Sequence, residues 1–110
     1  MKIEKKENYS IFHTEENLFS DVLKKFYCSI KDEKKENIIL HLSDNLNITS
    51  LNILEFLRIS LEKKANNTSF VVIISSLNID DLPEEINVVP TLQEAEDIIE
   101  MESIERELGF

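Results

Sequence analysis

Few side chains in this 110-residue sequence have the chemistry that catalysis needs. His13 and His41 are the acid–base candidates, but they stand far apart in the chain, without metal-ligand spacing or a neighbouring Ser or Cys nucleophile. His41 alternates with Leu40 and Leu42 and reads as a structural histidine in a strand. The single cysteine, Cys28, falls opposite the apolar face of a helix, with no cation beside it to form a thiolate. Asp80, Asp81, Glu84 and Glu85 lack the spacing and mid-loop glycine of a calcium loop and read as a solvated acidic segment. Thr49 and Ser50 stand where a helix start needs a hydroxyl cap. These residues call for no catalytic group, metal or cofactor. A single glycine also excludes phosphate-cradling loops, because backbone amides cannot close on an anion without several.

Charge separates the chain into two parts. Residues 80–110 hold eleven acids against one base, Arg106, which equals the whole net charge of −10. Residues 1–79 balance. An acidic end argues against nucleic acid and points to a protein partner of basic character or to a second copy of the chain. The first ten residues lack the apolar core of a secretory signal, and the longest apolar run, Phe70 to Ile74, is too short to span a bilayer. With one cysteine and no membrane segment, a cytoplasmic protein is expected.

The elements that must position these residues follow from periodicity. Residues 2–5 and 9–12 read as a hairpin turning at Lys6-Glu7-Asn8. Leu18, Phe19, Val22, Leu23, Phe26, Tyr27 and Ile30 fill one face of a helix, with Asn17 as cap and Lys31, Lys34 and Lys35 at its negative end. Residues 37–42 and 70–74 are apolar, β-branched strands, and 86–89 is a shorter one. A second helix runs from the Thr49/Ser50 cap to about Lys64. In it Leu51, Leu54, Leu57 and Leu61 share the inner side, and Phe56 and Ile59 point outward. A last helix, 92–108, opens on the capping-box spacing Thr91 to Glu94 and stops at Gly109, with Phe110 folding back toward Ile104. Its inner stripe is Leu92, Ala95 and Ile99, while Met101, Ile104 and Leu108 fall on the reverse side. These residues, with Phe56 and Ile59, are interaction candidates; the alternative is intramolecular, with another helix over Phe56 and Ile59 and Phe110 over Ile104. The order ββαβαββα implies one α/β domain with a small, mostly parallel sheet and helices packed against it.

That order resembles the STAS domain, the fold of bacterial anti-sigma-factor antagonists. In those proteins a strand leads through a short loop to a helix start that carries a phosphorylatable Ser. Here Ile38-Ile-Leu-His-Leu42 and the loop 43–48 lead to Thr49-Ser50-Leu51-Asn52, and Ser50 falls at that place. The family's preceding Asp is Thr49 in this chain, its following small residue is Asn52, and residues 78–85 are too few for the helix usual between the last two strands. The stretch from Val88 to Ala95 is similar to the family's last strand and helix start. The resemblance implies a SpoIIAA-like single domain over residues 1–110, a regulatory protein–protein role, and Ser50 or Thr49 as phosphorylation candidates. A phosphate there would meet free amides and the positive helix end. The ending from Val88 to Phe110 also resembles short bacterial proteins labelled ribonuclease Z. This implies an alternative link to tRNA 3′-end processing, as nuclease or as accessory. That nuclease fold requires a His-x-His-x-Asp-His cluster for paired metal ions, which two isolated histidines do not supply.

Overall fold

A computed structural model describes residues 1–31, 35–77, 80 and 82–109. The chain runs through β1 (Lys2–Lys5), β2 (Ser10–His13), α1 (Phe19–Ile30), β3 (Ile38–His41), α2 (Ser50–Leu54), α3 (Leu57–Ala65), β4 (Phe70–Ile73), β5 (Asn87–Val89) and α4 (Leu92–Glu107). The five strands form one sheet in chain order, β1-β2-β3-β4-β5. Only the β1–β2 hairpin is antiparallel, and the other three pairings are parallel. The expected α/β class and mostly parallel sheet are therefore present.

The strands read as apolar runs because helices cover both faces. On one face Phe12, Ile38, Leu40, Phe70, Val72 and Val88 pack with Val22 and Phe26 of α1, Ile53 of α2, and Phe56 and Ile59. Alternation sends Ile11, Ile39, Val71 and Ile73 to the other face, where Ala95 and Ile99 of α4 close over them. The first core is aromatic at its centre. Phe26 meets Phe12 edge-on at 5.4 Å, Phe56 edge-on at 5.9 Å, and Phe70 stacked at 5.7 Å between ring centroids.

Three local expectations need correcting. Asn17 does not cap α1: Leu18 occupies the N-cap with no side-chain bond, which also leaves Leu18 exposed. The second helix is two helices. Glu55 N and Phe56 N bond three residues back, to the carbonyls of Asn52 and Ile53, and this tightened turn ends α2. The Glu55 carbonyl instead accepts the Tyr27 hydroxyl at 2.9 Å, which pins the break to α1. The buried side is also the reverse of the expected one. Phe56 and Ile59 are 0% and 2% exposed and belong to the core, so they cannot serve as an interaction surface, whereas Leu51, Leu54 and Leu61 lie outside.

Other termini follow their chemistry. Thr49 and Asn52 make a reciprocal capping box at α2, with bonds of 2.9 and 3.3 Å. At α4 the Thr91 hydroxyl accepts from Glu94 N at 3.3 Å. The Glu94 carboxylate returns to that same hydroxyl, at 3.2 Å, instead of to the backbone. Gly109, at φ +81°, takes the left-handed stop after α4. Asn67, at φ 61°, does the same after α3, where Thr68 N returns to the Lys63 carbonyl. Lys34, the loop residues 78, 79 and 81, and the expected fold-back of Phe110 lie outside the described residues.

Candidate functional site

Parallel strands bring their carboxyl ends to one edge of the sheet, and the loops that follow them gather there. Four strands, β2 to β5, end there, and β1 begins there because it runs the other way. Pairing register does what sequence spacing did not: His13, last in β2, stands directly beside His41, last in β3. Their Nδ1 atoms are 3.3 Å apart and the rings meet edge-on, with centroids 5.4 Å apart. The strand immediately before β2 in the chain contributes a carboxylate. Glu4 of β1 places Oε1 3.5 Å from His13 Nε2, and Lys6, 3.4 Å from its other oxygen, holds its carboxyl below the usual range.

Loop residues stiffen this edge. Thr14 donates to the His41 carbonyl from its amide (3.1 Å) and hydroxyl (3.2 Å). The same hydroxyl accepts from Ser43 N at 2.8 Å. Ser75 donates to Asp44 Oδ1 at 2.6 Å, linking the loops after β3 and β4. Partial burial pushes the His41 imidazolium pKa down, as does the neighbouring His13 charge, against a smaller opposing pull from Asp44. The N-terminus closes the edge beside β2: the Met1 ammonium lies 2.6 Å from Glu16 Oε2 and 3.2 Å from Glu15 Oε1.

Thr49 and Ser50 follow the β3 loop. Thr49 is committed to the capping box, while Ser50, the first residue of α2, is partly exposed. Cys28 is exposed, as its helical phase requires. Among the described residues no group of three or more His, Cys, Asp or Glu converges on one point. Among them, too, no helix is long and apolar enough to cross a membrane.

A second surface lies on α4. Its inner side is buried through Ala95 and Ile99 and tied down by polar bonds. Glu96 accepts the Tyr9 hydroxyl at 3.1 Å, and Glu102 accepts from Ser69 Oγ at 2.6 Å and Asn87 Nδ2 at 3.1 Å. Its outer side exposes Met101 (54%), Ile104 (49%) and Leu108 (65%). Asp97, Glu100 and Glu105 border a shallow depression around Met101 and Ile104. Leu92, expected inside, is exposed as well, because it is the first residue of the helix and precedes the turn that meets the sheet.

No protein-family model matches the chain, and none of the curated proteins is similar to it.

Proposed function

We propose that this protein is a STAS-like, non-catalytic interaction domain of the cytoplasm, regulatory in the manner of anti-sigma-factor antagonists, which binds a basic protein partner through the outer face of α4. The observation that carries this reading is the exposed stripe Met101, Ile104 and Leu108 on a helix whose opposite side is already anchored. Scattered apolar residues are ordinary on a surface. Three at positions i, i+3 and i+7 of one helix form a continuous strip, the pattern that docked helices present to partners. Asp97, Glu100 and Glu105 beside the strip set the sign of the partner. Two copies, each with net charge −10, would bring these carboxylates together, which favours a basic partner over self-pairing. The strand order and the short loop from β3 to the Thr49–Ser50 helix start support the STAS-like reading of the fold.

The test is the double substitution Met101→Asp with Ile104→Asp. Both positions face solvent, so the fold should be retained, as checked by circular dichroism. A partner captured by the wild-type chain from its host at low salt should be lost from the variant and released by added salt. If a tRNA-processing nuclease is the protein recovered and lost in this way, the domain is its accessory. Identical captures by the two chains, with identical masses in light scattering, would overturn the proposal.

A further inference from the structure

The His13–His41 pair has a geometry that neither structural packing nor the α4 surface requires. Both rings lie on the sheet face that α4 covers, but at the carboxyl ends of β2 and β3, whereas α4 packs mainly on β4 and β5. His13 is about one-third exposed and His41 is exposed, so their contact with each other does not fill a cavity.

We propose that His13 and His41 chelate a divalent transition-metal ion of the zinc class through their two Nδ1 atoms. Tetrahedral zinc with nitrogen ligands at about 2.0–2.1 Å requires neighbouring donor atoms about 3.3–3.4 Å apart. Strand register sets the two residues side by side, and their Nδ1 atoms lie 3.3 Å apart. The tautomers suit the same role. With its proton on Nε2, toward the Glu4 carboxylate at 3.5 Å, His13 would carry a lone pair on Nδ1, and His41 Nδ1–H would donate to it. On coordination the His41 proton moves to its own Nε2 by way of water, both rings stay neutral, and the ion takes the place between the two nitrogens. Carboxylate, imidazole and metal in a row is the arrangement by which outer carboxylates orient ligating histidines and raise their basicity.

Imidazole nitrogen selects zinc, nickel or copper over magnesium or calcium, which prefer oxygen. With two protein donors, the remaining positions fall to water. Catalytic zinc sites use three protein ligands, so the inference is a binding site and not an active one. It stands independently of the α4 surface, on the other part of the molecule.

Calorimetric titration of the full chain with zinc chloride at pH 7.5 tests it. The expected result is a saturable isotherm with one ion per chain and no comparable heat from magnesium chloride. His13→Gln and His41→Gln should each weaken binding at least about tenfold, and Glu4→Gln by about tenfold through loss of orientation. Nitrogen-15 spectra of the wild-type imidazoles need no variant: both Nδ1 signals should shift on adding zinc, while the Nε2 of His13 remains protonated. Absence of saturable heat, an unchanged isotherm in the double His13→Gln, His41→Gln variant, or Nδ1 signals that do not respond would each overturn the assignment. The double variant keeps every surface carboxylate, so zinc bound there would appear unchanged in it.

Discussion

Replacing Glu16 by Gln should cost stability at neutral pH and almost none in strong acid. The Glu16 side chain is 4% exposed and faces the Met1 ammonium at 2.6 Å. Burial by itself would raise its pKa. The bond to the ammonium, the Glu15 amide at 3.2 Å and Lys25 at 3.2 Å outweigh burial and bring it from 4.5 to about 2. Because the folded-state value lies below the unfolded one, the unfolded chain binds a proton first as pH falls. The contribution is complete above about pH 4.5 and disappears as pH drops through about 2. At about 1.36 kcal/mol per pKa unit the shift corresponds to roughly 3 kcal/mol. Lys25 is 60% exposed, and solvent screening of that partner reduces the working figure to about 2 kcal/mol. Urea unfolding of the wild type and Glu16→Gln at intervals from pH 7 to pH 2 would measure it. The expected difference is about 2 kcal/mol at pH 7, shrinking steadily below pH 4.5. A difference that stays constant over that range, or lies below about 0.5 kcal/mol at pH 7, would refute the assignment of Glu16 as a buried partner of the N-terminus.

Phe56→Ala should destabilise by about 3–5 kcal/mol, because it empties the centre of the aromatic core, while Leu51→Ala should change urea stability by less than about 0.5 kcal/mol. Thr49→Ala should cost about 1 kcal/mol by removing the hydroxyl that accepts from Asn52 N, and Thr49→Ser should restore most of it. On α4, Ile99→Asp should prevent cooperative thermal unfolding, because Ile99 is buried against the sheet, and Met101→Asp should leave the melting temperature nearly unchanged.

Periodicity and terminal chemistry made most of the elements legible. The Thr91–Glu94 spacing and Gly109 bracket α4 because caps and left-handed stops depend on the residues at the terminus itself. Which side of α2 and α3 faces inward was not legible. At about 100° per residue Ile53, Phe56, Ile59 and Lys63 share one side, opposite Leu51, Leu54 and Leu61, and that phase carries through the tight turn at Glu55. The four leucines read as the inner side, but the buried side is the one where Phe56 meets the rings of Phe19, Phe26 and Phe70. The outer stripe of α4 could be read from phase alone because that helix is uninterrupted. The histidine pair was hidden for a different reason. Two residues on separate strands become neighbours through register, and register here is set by burying Ile11 beside Ile39 and Phe12 beside Leu40, not by anything near the histidines in the chain.

The chain-order sheet has a consequence for how the protein is made. Each strand pairs only with strands adjacent to it in sequence, so the first core can assemble progressively as the chain leaves the ribosome. The second core cannot. Ile11, Ile39, Val71 and Ile73 lie on strands that precede α4, and Ala95 and Ile99 of α4 cover them. Without α4 in place the sheet presents an apolar face across three adjacent strands, a surface prone to association. The same helix supplies the cover and, with seven carboxylates between Leu92 and Glu107, charge that keeps copies apart.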